Sequence, residues 1–389
     1  MMTITNVYVH TMTQGDIENG YVKVCDGKIA EVGDMNNIKC ELGENVIDGG
    51  GNHLYPGFID AHTHLGLFTD GEDYEHEDAN EVSDAITPNM RVIDAINPLD
   101  GCFKDAINAG VTTVMVSPGS ANAIAGQIAA IKTYGKRIDN MIVKEPVAMK
   151  FSMGENPKSM YNETQQSPKT RMAVAATIRE NLSKAQRYMQ EKAKAQENSS
   201  DYDLPDYDAK LEALIPVIKG EIYAHFHAHR ADDIFTAIRI SKEFKLKYVI
   251  VHATEGHIIF DELLKEGTSV ISGPFMGDRS KFELKNLTVK SPVVMSENGL
   301  SVAITTDHPE TPIQYLTLCA SLAASKGMEK AKAMKAITID AAKICGIDDV
   351  VGSIEAGKDA DLVLFDKDPF DVGAEPIMVI VNGEIVLQH

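Results

Sequence analysis

His62 and His64 open the chemical reading of this chain. Two imidazoles one residue apart on a strand project to the same side and can grip one ion. They end the stretch 54–66, LYPGFIDAHTHLG, where an apolar strand runs into the pair and a glycine follows. Zinc accepts neutral imidazole nitrogens, so this spacing at a strand end suits a divalent metal. A surface pair of histidines is the plainer alternative, and the apolar lead-in argues against it. In 222–234, IYAHFHAHRADDI, the residues His225, His227 and His229 alternate, which is improbable by chance in a chain holding 12 histidines. One of the three is expected to bind metal and the others to orient substrate or support a ligand. His252 ends the apolar run of 248–257, YVIVHATEGH, and Asp307 ends that of 302–309, VAITTDHP. Alone, each reads as an ordinary core or helix-capping residue. Together, each at the carboxyl end of an inferred strand, they read as one site.

The elements that must position these residues alternate between strand-like and helix-like, the pattern of a parallel α/β fold. Strands are expected at 57–63, 111–117, 146–151, 221–227, 248–252, 269–272 and 301–306. An eighth is assigned to 128–134, as part of a hairpin with 139–144. Helices are expected at 170–196, rich in good helix formers, and at 232–244, 255–266, 313–325 and 328–345. The acidic, turn-rich stretch 198–208 reads as a surface excursion. At the start of the chain, short strands at 3–10, 21–25, 28–32 and 45–48 surround the hairpin signal Asp26-Gly27. The end returns to that style, with strands at 362–365, 378–381 and 384–387 and an Asn382-Gly383 turn. Both termini are therefore expected to share one small sheet domain. In an α/β barrel all strand ends open on one face, which is where such enzymes hold their catalytic groups.

Composition sets outer limits. A chain of 389 residues can hold a barrel of about 250 residues and a smaller companion. Hydrophobic residues at 44% and charged ones at 24% describe a globular protein. The net charge of −20 argues against nucleic acid or an anionic membrane as partner, since phosphate binding needs clustered Lys and Arg. No apolar run approaches the roughly 18 residues needed to cross a bilayer, and no signal peptide is visible. Five cysteines without a CxxC pair fit reduced thiols and a cytoplasmic protein. A small-molecule substrate and a homo-oligomer are expected.

The motifs resemble the amidohydrolase superfamily, in its imidazolonepropionase-like and Xaa-Pro dipeptidase (prolidase)-like branch. PGFIDAHTHLG is similar to the first-strand motif, GVTTVMVSPG (110–119) to the second strand, and VGSIEAGKDADLVLFDKDPF (351–370) to the return into a β-sandwich. The resemblance implies a distorted (β/α)8 barrel of the TIM type over 56–350, with a β-sandwich formed from 1–55 and 351–389. It implies His62 and His64 as first-strand ligands, His227 as the fifth-strand ligand with His225 as alternative, and His252 as the sixth-strand ligand. Asp307 resembles the eighth-strand aspartate that binds metal and takes a proton from the attacking water. One or two divalent ions, with Zn2+ as the expected metal, are implied. For a two-ion site the bridge is a carbamate on Lys150, in PVAMKFSMGENPK, with Glu155 as the alternative anion. The GENPK run departs from the dipeptidase pattern and leaves the substrate open.

The chemistry so implied is hydrolysis of an amide, peptide or cyclic-amide C–N bond, with Asp307 as general acid and base. A deaminase is the enzymatic rival. It would usually carry a glutamate shortly after the fifth-strand histidine, where this chain has His229-Arg230-Ala231. A non-catalytic assembly homologue is the third reading, and such proteins generally lose ligands. Arg230 and His229 are candidate substrate contacts, with Lys158 and Tyr161 behind them. The acids and histidine of the loop 67–91 (Asp70, Glu72, Asp73, Glu75, His76, Glu77) either cover the pocket or are simply solvated.

Overall fold

The computed structural model describes residues 1–38, 45–69, 71, 74–163 and 165–389. Asp70, Glu72, Asp73 and Cys40 lie outside the described residues. The chain opens with β1 (Met2–His10), β2 (Asp16–Cys25), β3 (Lys28–Asp34), β4 (Val46–Asp48) and β5 (His53–Pro56). It closes with three further strands that join the same sheet, after eight barrel strands. The barrel strands are β6 (Phe58–Thr63), β7 (Val111–Val116), β8 (Ile124–Lys132), β9 (Ile142–Ser152), β10 (Tyr223–Ala228), β11 (Tyr248–His252), β12 (Ser269–Ser272) and β13 (Val302–Ile304). The last three are β14 (Leu362–Phe365), β15 (Met378–Val381) and β16 (Glu384–Gln388).

The terminal sheet runs β16-β15-β14-β5-β1-β2-β3, with β4 on the other end of β1. Strand β14 pairs antiparallel with β5, which fuses the two ends of the chain as the sequence leads one to expect. Asp26-Gly27 and Asn382-Gly383 are both two-residue turns with positive φ at each position, the geometry that favours glycine and small polar residues. These turns meet: a Cβ on Gly383 would stand 3.0 Å from Gly27 Cα and 2.9 Å from Val24 Cγ1, too close for a side chain without a shift.

The second sheet runs β13-β12-β11-β10-β9-β8-β7-β6. All seven expected strands are present, and the eighth lies between β7 and β9, antiparallel to both. That reversed strand is the distortion of the barrel. The interior floor is apolar, formed by Ile59, Ala61, Met115, Ile128, Val249, Val251, Ile271 and Ala303, and sealed below by Ala341, Ile344 and Cys345.

The seam between β6 and β13 is bridged rather than laddered. The expected helix 328–345 is broken into Lys330–Lys335 and Ile339–Cys345. Thr338, at φ −137° and ψ −107°, interrupts it. The break frees two carbonyls for strand work: Ile337 O accepts from Ile59 N at 2.8 Å, and Ala336 O from Ile304 N at 3.0 Å. Helix 170–196 is present as Arg171–Glu197, started by the Thr170 hydroxyl accepting from Ala173 N. The segment 255–266 is helical only over Phe260–Lys265, after a 3-10 turn at Gly256–Ile258. Among the described residues no helix is long and apolar enough to cross a membrane, and Cys25, Cys102, Cys319 and Cys345 are unpaired thiols.

Candidate metal centre

Strand β6 carries its histidines through a bulge. Its pairing with β7 gains one residue between Asp60 and Thr63. An extra residue re-aims the side chains beyond it. Ile59 and Ala61 thus pack in the floor while His62 and His64 reach the mouth. The Nε2 atoms of both rings lie 3.5 Å from Asp307 Oδ1. Lys150, on β9 and fully buried, places Nζ 3.2 Å from His62 Nε2. Across the mouth, His227, His229 and His252 offer nitrogens within 4.8 Å of one another, and so do the ligand atoms of His62, His64 and Asp307.

The rings are held from behind. His64 Nδ1 meets Ser117 O at 2.7 Å and His252 Nδ1 meets Gly273 O at 2.7 Å. A carbonyl only accepts, so both Nδ1 atoms carry the proton and both Nε2 atoms are bare. Hydroxyls hold the other two rings, Ser120 Oγ at 2.9 Å from His227 Nδ1 and Thr254 Oγ1 at 2.7 Å from His229 Nδ1, contacts in which either atom can donate. The result is a set of buried polar atoms without a hydrogen-bond partner: Nε2 of His227, His229 and His252, Nδ1 of His62, and Oδ1 of Asp307. Such atoms are costly unless something occupies the space between them. A divalent cation fits this donor set.

Electrostatics point the same way. Burial pulls His64 down to about 3 and holds His62, His227, His229 and His252 well below the usual imidazole range, with neighbouring cationic groups adding to it. These rings are neutral at physiological pH, the form that ligates metal. Burial also pushes the Asp307 carboxyl up and draws the Lys150 ammonium down. His252 and Asp307 both sit in left-handed backbone, at φ 74° and 54°, and Ala253 follows at 45°. Non-glycine residues rarely accept that conformation, and it recurs where function constrains the chain.

Other expected residues fall elsewhere. His225 lies one step deeper than His227, in register with Lys150, fully buried and with both ring nitrogens unpartnered. It belongs to neither cluster of three. The Glu155 carboxylate accepts from Glu283 N at 3.3 Å rather than joining the histidines. Arg230 is spent on Asp232, with hydrogen bonds of 2.9 and 2.7 Å. Tyr161 is buried in the apolar packing around the helix Arg171–Glu197, and neither it nor Lys158 lines the cavity over the site. That cavity measures about 410 Å³ and is lined by His64, His227, His229 and Asp307 below and by Phe68, Met160, Lys281 and Leu287 at the sides. Phe68 comes from the loop 67–91, while Glu75 is exposed and Glu77 holds Asn80 at 2.8 Å.

Two acids were missed by the sequence reading. Asp60, fully buried, accepts from the Thr305 hydroxyl at 2.5 Å, the Thr306 hydroxyl at 2.5 Å, Thr306 N at 3.1 Å and His62 N at 3.3 Å. It clamps β6 to the strand end that carries Asp307. Its place two residues before His62 was the available signal. Glu283, on a short turn (Phe282–Leu284) after β12, is fully buried beside His227 and His229. Its surroundings, SKFELKN, lack the apolar lead-in that marks the other residues.

Comparison with known proteins places this geometry. The family model described as "Amidohydrolase family" matches residues 53–386. The structure of an amidohydrolase from Thermotoga maritima MSB8 is 39% identical, with a TM-score of 0.95 and 100% of both chains covered. Amidohydrolase tasK of Hapsidospora irregularis is 27% identical over 94% of this chain, which spans only 39% of the length of that relative. Imidazolonepropionase of Fusobacterium nucleatum subsp. nucleatum is 24% identical over 90% of this chain and 85% of its own length. The chain belongs to the amidohydrolase family.

Proposed function

We propose that this protein hydrolyses an amide-type C–N bond of a small molecule, using one or two zinc ions held by His62, His64, His227, His252 and Asp307. The observation that carries the reading is the convergence of buried, unpartnered imidazole and carboxylate atoms from four strand ends at one 410 Å³ cavity. When bound, divalent ions supply Lewis acidity toward the scissile carbonyl and make water acidic enough to attack near neutral pH. Asp307 stands beside both β6 histidines and takes the proton of the attacking water, then returns it to the leaving nitrogen. Its raised affinity for a proton suits that exchange.

Lys150 is read as the bridging anion after addition of CO2. The neutral amine attacks carbon dioxide, an N–C bond forms, and one proton leaves to solvent, giving a carbamate. An unmodified ammonium 3.2 Å from His62 Nε2 would repel a cation, whereas a carbamate attracts it. Burial favours the neutral amine that this addition needs. The carboxylate of Glu155, turned toward the Glu283 amide, supports this choice over the alternative anion.

Similarity to proteins named imidazolonepropionase puts cyclic amides first in a substrate panel, followed by N-acyl amino acids and Xaa-Pro dipeptides. The unpaired thiols suit a reducing, cytoplasmic setting. The test is chelation followed by addition of Zn2+ or Mn2+. Activity is expected to vanish and return. Full activity in metal-free protein would refute the scheme.

A further inference from the structure

We propose that Glu283 is itself a metal ligand, completing with His227, His229 and His252 a four-donor position on the β10–β11 side of the mouth. The proposal rests on the metallohydrolase reading above and adds to it an anion delivered from the loop after β12.

Glu283 has no exposed surface, although its neighbour Phe282 is 64% exposed. A carboxylate is rarely buried to this degree without a partner. One of its oxygens is anchored: Oε2 accepts from Glu155 N at 3.0 Å, while the Glu155 carboxylate accepts from Glu283 N at 3.3 Å. This reciprocal clamp ties the loop after β12 to the loop after β9. Gly154 makes it possible, because at φ +83° a Cβ there would stand 2.9 Å from Glu283 Oε2 and 2.9 Å from Asp233 Oδ2.

The other oxygen points into the site. Oε1 has no hydrogen-bond partner and lies 3.7 Å from His229 Nε2 and 3.9 Å from His227 Nε2. Those two nitrogens and His252 Nε2 are themselves unpartnered, with each Nδ1 already engaged. Three ring nitrogens lie within 4.8 Å of one another, and Glu283 Oε1 stands beside two of them, all four atoms without a hydrogen-bond partner. Donors at zinc distances stand roughly 3.3 Å apart around a tetrahedral ion. Glu283 Oε1 is within a few tenths of an ångström of that spacing from His229 Nε2 and His227 Nε2, and binding an ion would draw it toward His252 as well.

Lys281 Nζ approaches Oε1 to 3.5 Å but is hydrogen-bonded to Asn156 Oδ1 at 2.9 Å and is one-third exposed. It balances part of the charge from the rim. A substrate ammonium is the competing occupant. The three rings pack at centroid distances of 4.4 to 4.7 Å, which suits a bare ion better than a nitrogen that carries carbon.

The test is metal content and zinc affinity of Glu283→Gln beside the wild type, each purified from zinc-supplemented culture without chelator. The expected result is two zinc ions per wild-type chain and one in Glu283→Gln, with affinity for the second ion weakened at least tenfold. Two ions with unchanged affinity in the variant would overturn the ligand role and leave the hydrolase reading intact, and a raised KM alongside full metal would assign Glu283 to substrate instead. A wild type without zinc overturns both readings. Should Glu283→Gln fail to fold by circular dichroism, Glu283→Asp decides: weakened zinc binding in the folded protein supports the role, and wild-type affinity contradicts it.

Discussion

Two groups of histidines occupy this molecule, and they solve the same problem in opposite ways. In the terminal sheet, His10 Nδ1 meets Asp16 Oδ2 at 3.1 Å, its Nε2 meets His53 Nδ1 at 2.9 Å, and its ring stacks on Tyr55 at 4.1 Å. Both nitrogens of His10 find partners within the protein. In the barrel, His64, His227, His229 and His252 each tie down Nδ1, and Nε2 of the last three has no hydrogen-bond partner. The first group is packing. The second is a set of aimed lone pairs, and what separates them is satisfaction rather than burial alone.

Removing the acid from the barrel group gives the largest expected effect. Asp307→Asn should lower kcat by about 10²- to 10⁴-fold with circular dichroism unchanged, because the proton carrier is lost while the volume is kept. Lys150→Met comes next. It should abolish a carbamate carbon signal in protein grown with 13C-labelled bicarbonate and lower metal content, and a signal that persists would place the modification elsewhere. Ser120→Ala removes the partner of His227 Nδ1 and should weaken metal binding by about 10- to 100-fold, read by competition with a chelating dye.

Asp60→Asn tests the seam beneath the histidines. An amide nitrogen there would face donors from Thr305, Thr306 and His62, so urea unfolding should show a loss of about 1–3 kcal/mol. Its pH dependence has a definite sign. Burial raises the Asp60 carboxyl to about 6, so between the unfolded value near 4 and about 6 the folded state binds the extra proton. The contribution of Asp60 to stability is therefore greatest below about 4 and falls as pH rises to about 6. The variant should lack this slope. The smallest effect belongs to the sheet group: His10→Gln should leave metal content unchanged and shift stability by no more than about 1 kcal/mol.

Legibility in the sequence followed the same division. The barrel strands and His62, His64, His227, His252 and Asp307 were readable because apolar strands run directly into polar residues. The Asp-Gly and Asn-Gly turns announced the terminal hairpins. The break at Thr338 was hidden, because helix-forming residues continue on both sides and the gain lies in carbonyls given to Ile59 and Ile304, far away in the chain. Strand β8 was faint, since its alanines and glycine carry weak strand preference and its reversed direction depends on both neighbours. Glu283 was invisible for a related reason. Its burial comes from Glu155 and Gly154, 128 and 129 positions earlier in the chain, and no local pattern records that contact.

Diffraction at the zinc absorption edge from crystals of protein never exposed to chelator is the most direct trial of the difference between the two histidine groups. Anomalous peaks should stand at the barrel mouth, one against His62, His64 and Asp307 and another among His227, His229 and His252, with nothing beside His10 and His53. A mouth without density, in protein that still turns over its substrate, would contradict the account.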